Sequence, residues 1–209
     1  MMPILTAASI HLCRDFATIF PALHSSSVPA WHAFAFDTPY AAFESADIYT
    51  DASGGASKGD LEGPPSWAFL VFAWLNGVQH FIGYLGSTLP DLIGADRISA
   101  KAEFEAATWA ALWLLQSPFP PALAVRFHSD NMDVVGTAHG GTVSAPLLEH
   151  RSRLDGVCKI ANLTRSYSWH HVHGHQADPL NEMVDTVARL YSLALLPPPA
   201  LPPLMALLA

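Results

Sequence analysis

The run Trp67-Ala68-Phe69-Leu70-Val71-Phe72-Ala73-Trp74-Leu75, followed at once by Asn76-Gly77, limits the folds open to this chain more than any other stretch. The run is apolar throughout. It is rich in aromatic side chains and ends at turn residues, so it reads as a strand covered on both faces. Asn-Gly is the strongest two-residue hairpin signal, because both positions of a type I′ turn need positive φ. Residues 78–84 are then the returning strand. A sheet with a strand buried on both sides needs helices on its faces.

The remaining segments supply them. Residues 47–51 read as a strand, and a Gly/Ser/Pro-rich loop leads from there through Gly63-Pro64-Pro65. After a loop over 86–98, a helix opens at Ser99 or Ala100 and runs to about Gln116. Ala102, Ala106, Trp109, Ala110 and Trp113 recur in it at helical spacing, and Pro118 ends it. Residues 123–128 are a strand. Asp130 starts a short helix broken at Gly140-Gly141. Residues 146–163 are a helix with Leu147, Leu148, Leu154, Val157 and Ile160 on its apolar side. Residues 168–173 are a strand and 181–195 the last helix. The order βββαβααβα gives an α/β protein with one mixed sheet. Residues 1–43 show no clear period and form an unassigned N-terminal extension. Residues 44–195 form the domain, and 196–209 are a proline-rich tail.

Hydrophobic residues make up 51% of the chain and charged residues 13%, which favours a buried core over disorder. The formal net charge of −8 argues against a broad basic surface for nucleic acid. Contact through metal ions and a few local cations stays open. Arg151, Arg153, Lys159, Arg165 and Arg189 gather in the later half, where a polyanion would meet the chain. Cys13 and Cys158 have no metal-binding spacing and read as reduced thiols, in keeping with an intracellular, cytoplasmic or nuclear protein. No apolar run reaches the length of a membrane span.

The chemistry gathers on acids. In Ile48-Tyr49-Thr50-Asp51-Ala52-Ser53-Gly54-Gly55, a strand carries a carboxylate and then breaks into a turn. Glu103 lies in the first turn of the first long helix. Asp130 sits where a strand hands over to a helix, and Asp185 lies on the last helix. Each has a local explanation: turn cap, helix-dipole partner, N-cap, solvated position. Glu105 and Asp133 read as solvated positions. Strand ends and helix starts are also where open sheets build sites. Hard divalent cations want oxygen ligands, and two ions about 4 Å apart can clamp a displacement at phosphorus.

The stretch Trp169-His170-His171-Val172-His173-Gly174-His175-Gln176-Ala177-Asp178-Pro179-Leu180-Asn181-Glu182-Met183-Val184-Asp185 decides between these readings. With it, the chain resembles the ribonuclease H family. That family shows a strand-borne Tyr-Thr-Asp, a helix opening Ala-Glu, a strand ending Ser-Asp, and then Gly-His, a loop, Asn-Glu and Asp. All four occur here in order, over residues 46–192.

The resemblance implies a mixed five-stranded sheet of order 3-2-1-4-5 with helices on both faces. It implies two Mg²⁺ ions, with Mn²⁺ able to substitute, held by Asp51, Glu103, Asp130 and Asp185. Asp51 would bridge them, Asp185 would complete the site that activates water, and Glu103 and Asp130 would hold the ion near the leaving 3′ oxygen. His175 would assist proton transfer or product release. Ala52, Ser53, Gly54, Asn131 and Asn181 would meet or support the substrate. The implied activity is hydrolysis of the RNA strand of RNA–DNA hybrids, told from DNA by consecutive 2′-hydroxyls.

Two departures stand out. Ala52 occupies a place where many members have glycine. The chain also lacks the extra basic helix with which some bacterial members grip hybrids, as suits members that lie beside a reverse transcriptase or another polyprotein domain. A zinc site in the histidine-rich stretch is disfavoured: His171 and His173 share a strand face, but no cysteine is near and no further ligand follows at finger-like spacing. A non-catalytic domain that docks hybrid or a polymerase, and another nuclease on the same fold, remain as alternatives.

Overall fold

The computed structural model describes residues 39–54, 63–89, 92, 98–174 and 178–193. Residues 1–38, most of the loop after the first strand, His175 and the proline-rich tail lie outside the described residues. The elements are β1 (Ser45–Ser53), β2 (Ser66–Leu75), β3 (Val78–Thr88), α1 (Ile98–Gln116), β4 (Ala124–Ser129), α2 (Met132–Ala138), α3 (Leu148–Ala161), β5 (Ser166–His171) and α4 (Pro179–Ser192). Short 3₁₀ turns at Tyr40–Ala42 and Ala145–Leu147 precede β1 and α3. The five strands form one sheet in the order β3-β2-β1-β4-β5. β1, β2 and β3 are antiparallel neighbours, while β4 pairs parallel to both β1 and β5.

Every expected element is present, with shifted ends. The turn between β2 and β3 is as the sequence predicts: Asn76 has φ of 52° and Gly77 of 72°. β2 is buried along most of its length, and its two faces serve two different cores. Trp67, Phe69, Val71 and Ala73 pack on the α1 side, and Ala68, Leu70 and Phe72 on the α4 side. Trp67 lies parallel to Trp109 of α1, with centroids 5.7 Å apart. Such stacking is worth about 0.5–1.5 kcal/mol beyond the area it buries. The alanines at 102, 106, 107 and 110 keep α1 slim enough to lie close to the sheet. α4 closes the opposite face with Val184, Val187, Ala188 and Tyr191.

Packing also reaches back before residue 44. Phe43 is buried, and the Tyr40 ring meets Phe119 edge-on at 5.5 Å. On α3 the apolar side differs from the expected one. Leu147, Leu154, Cys158 and Ala161 are buried, whereas Leu148 and Ile160 are 49% and 57% exposed. The burial repeats at i, i+4 and i+7 from Leu154, a stripe too narrow to include either residue. Among the described residues no helix is long and apolar enough to cross a membrane.

Candidate active site

Parallel pairing of β1 with β4 sets Thr50 opposite Ser129, so the next residues on each strand, Asp51 and Asp130, finish side by side. Alternation along β1 turns Ala46, Ile48 and Ala52 into the α1-side core, and turns Asp47, Tyr49 and Asp51 the other way. β1 runs on through Ser53 instead of breaking at Asp51, because its pairing with β2 continues to Ser53 opposite Ser66. The Ala52 side chain is therefore a core contact. What this residue offers the site is its backbone N–H, which donates to Asp51 Oδ1 at 2.7 Å.

Glu103 arrives from α1. That helix begins at Ile98, so Glu103 lies beyond its first turn, where a helix-dipole explanation loses force. It is 5% exposed, and its Oε2 is buried with no hydrogen-bond partner among the described residues. One carboxylate oxygen from each of Asp51, Glu103 and Asp130 lies within 4.8 Å of the others. Burial raises the Asp51 carboxyl, with the charges of Asp130 and Asp185 adding to it, and pushes it up to about 8. Burial, with the charges of Asp51 and Asp130 adding to it, raises Glu103 well above the usual carboxylate range. Acids crowded at such cost, with an oxygen left unpartnered, suit a hard divalent cation.

Asp130 is held from behind. His171 Nε2 lies 3.1 Å from its carbonyl oxygen, and the Val172 N–H bonds to the Ser129 carbonyl at 3.0 Å. Gly174 lies against its carboxylate. Asp130 is not the helix cap. Asn131 takes that part, its side-chain oxygen accepting from the N–H groups of Asp133 and Val134. Asp133, in the first turn of α2, is half-buried.

Asp185 lies on α4, close enough for its charge to bear on Asp51 but outside the group of three. Its two oxygens meet Arg189 at 3.0 and 2.8 Å. One turn earlier, Asn181 is buried, and its Oδ1 has no partner among the described residues. Asp178 caps α4 by accepting from the N–H groups of Leu180 and Asn181. Ser53 and Gly54 are half-buried at the end of β1. His175 lies outside the described residues, so its side chain is not placed. Among the described residues no histidine joins the acids, and His171 and His173 instead meet edge-on at 5.3 Å.

Two acids carry more structure than the sequence suggests. Glu105, read as solvated, is 6% exposed and is held by Arg153 and His150 of α3. Asp47, on the same strand face as Asp51, is buried too. It accepts from Trp74 Nε1 at 2.6 Å and from Arg126 at 2.7 and 2.8 Å, with His128 Nε2 at 2.9 Å. The only sequence sign was its place four residues before Asp51, on the same face of the strand.

The sheet order and the crossing helices have a counterpart in a solved structure. A foamy viral protease-reverse transcriptase in complex with RNA/DNA hybrid superposes with a TM-score of 0.51 at 15% identity, over 75% of this chain and 21% of that one. This chain has the ribonuclease H fold. The ribonuclease H1 of the archaeon Halobacterium salinarum is similar over 70% of this chain and 96% of its own, at 18% identity and a TM-score of 0.47. The N-terminal ribonuclease H domain of a Mycobacterium tuberculosis protein is similar over 72% and 96%, at 16% identity and a TM-score of 0.48. No protein-family model matches the chain, and no curated protein matches its sequence. Within the ribonuclease H fold, Asp51 stands on β1, Asp130 is the first residue past the end of the adjacent parallel strand β4, and Glu103 stands on α1.

Proposed function

We propose that this protein is a divalent-metal-dependent endoribonuclease that hydrolyses the RNA strand of RNA–DNA hybrids. The observation that carries the reading is the convergence of Asp51, Glu103 and Asp130, with Glu103 Oε2 buried and unpartnered. Such a donor set fits Mg²⁺ or Mn²⁺, which would neutralise charge at the scissile phosphate and lower the pKa of an attacking water. Asp51, Glu103 and Asp130 hold the ion site, and Asp185 extends it toward a second ion. Gly174 and His171 fix Asp130, and His175 serves proton transfer or product release. Ser53, Gly54, Asn131, Asn181 and the Ala52 backbone line the approach of the substrate.

Independent grip on a hybrid is weak in this reading, and a flanking reverse transcriptase or other polyprotein domain supplies it. Supporting this, several cations of the later half are already engaged. Arg153 pairs with Glu105, Lys159 with Asp155, and Arg151 with the Gly141 carbonyl. The foamy viral protein of the same fold also carries its polymerase on one chain. The proposed setting is the cytoplasm or nucleus.

The test is a hybrid labelled on either strand, incubated with purified protein and Mg²⁺ or Mn²⁺. Only the RNA strand should be cut, leaving 3′-hydroxyl and 5′-phosphate ends, and Asp130→Asn should abolish cutting without unfolding the protein. Silence with both metals, or full activity in Asp130→Asn, would sink the proposal. Hybrid binding without turnover would favour a docking domain, and cleavage of duplex DNA alone a different nuclease.

A further inference from the structure

The four acids are not equally available. Asp51, Glu103 and Asp130 close on one another, and Glu103 keeps an unpartnered oxygen. Asp185 is already engaged. Arg189, one turn along α4, presents Nε to Oδ1 at 3.0 Å and Nη2 to Oδ2 at 2.8 Å, so its fork covers both carboxylate oxygens. The arginine is 61% exposed along its side chain and the aspartate 14%, so the cation covers the acid from the solvent side. We propose that Arg189 competes with the second divalent ion for Asp185, so that the site fills in two steps: a first ion on Asp51, Glu103 and Asp130, and a second only when the Arg189 fork lets go. This rests on the metal-dependent reading above.

The competition has a bounded size. An exposed ion pair one helical turn apart contributes little, which corresponds to weakening the second ion by about two- to fivefold. That is enough to separate the two binding steps without abolishing the second. Arg189 is thus a positioning residue: it acts through Asp185. Lysine at this place would keep the charge but lose the planar fork that engages both oxygens.

The experiment is a titration of the full chain with Mn²⁺, free ion being read by electron paramagnetic resonance, for the native protein, Arg189→Gln and Arg189→Lys. Circular dichroism confirms the fold of each. The native protein should show a tighter and a weaker ion. Arg189→Gln should tighten the weaker one about two- to fivefold and leave the tighter one in place, with Arg189→Lys between them. Equal tightening of both ions would show that Arg189 acts only through its general field, and would overturn the proposal. So would unchanged constants, or a single ion in all three proteins. Binding of one ion together with hybrid cleavage would remove the Arg189 inference and leave the nuclease standing. Binding of no ion, with no cleavage, would remove both.

Discussion

Gly174 lies so close to Asp130 that the place of a Cβ on the glycine is already taken by the aspartate's Oδ2. The first residue after His173 in the segment beyond β5 therefore acts as a wall for one of the three converging carboxylates. In Gly174→Ala the aspartate must turn away. Mn²⁺ affinity should fall about 10- to 100-fold, as when a residue supporting a metal ligand is lost. The melting temperature should hardly move, because Gly174 has no positive φ to preserve. Isothermal titration beside a thermal melt checks this, and unchanged affinity would show that Asp130 finds its place unaided.

The crowded acids should leave a pH signature in metal-free protein. Burial raises both Asp51 and Glu103, and Asp51 reaches about 8. Unfolded carboxyls titrate near pH 4, at roughly 3.9 for Asp and 4.3 for Glu. Between about pH 4 and pH 8 the folded protein thus holds protons that the unfolded chain has released, so stability falls as pH rises through that window. Melting temperatures should decline across it and recover when Mg²⁺ is added. Glu103→Gln should flatten the decline and raise the metal-free melting temperature at pH 8 by about 2–6 °C. A flat native profile would show that the site carries no such burden.

Asp47 should behave in the opposite sense. Burial alone would raise its carboxyl, but hydrogen bonds from His128, Arg126 and Trp74, with the charge of Arg126, hold it well below the usual range. Its contribution is then fully present above about pH 4, where the unfolded carboxyl is ionised, and is lost as pH falls below that. Asp47→Asn should cost about 2–3 kcal/mol at pH 7, a value that allows for the part-exposed Arg126. Urea unfolding at pH 7 and pH 3 reads the difference. A penalty equal at both would show that the charge contributes nothing.

Glu105 fastens α3 to α1 through Arg153 and His150. Glu105→Gln should cost about 1–2 kcal/mol, with Arg153 part-exposed. Amide hydrogen exchange should quicken most over residues 148–161. Quickening that is uniform across the sheet would place the loss elsewhere.

What could be read beforehand divides along a physical line. β2, its Asn76-Gly77 turn and the helix over 98–116 were legible because burial on both faces, positive φ and helical period are local properties of a few consecutive residues. The convergence of Asp51, Glu103 and Asp130 was legible only through a resemblance that orders motifs along the chain, and Asp185, expected with them, lies outside the group of three. Glu105 and Asp47 were not legible. The partners that bury them, Arg153 and Arg126, lie 48 and 79 residues away, and no period connects them. Leu148 and Ile160 misled for a related reason. An apolar residue carries no mark saying whether its helix will turn it inward, and α3 presses only a narrow stripe on the core.

The parallel pairing of β1 with β4 joins strands 79 residues apart in the chain, and α4 adds Asp185 only after the last strand is complete. Contacts of that separation are slow to form, since the entropy of closing so long a loop is lost before anything is gained. No hairpin or isolated helix of this chain can hold three of the acids at once. Recovery of the tighter ion's binding during refolding should therefore report the joining of β1, α1 and β4, and an early intermediate without that pairing, however rich in secondary structure, would bind no ion.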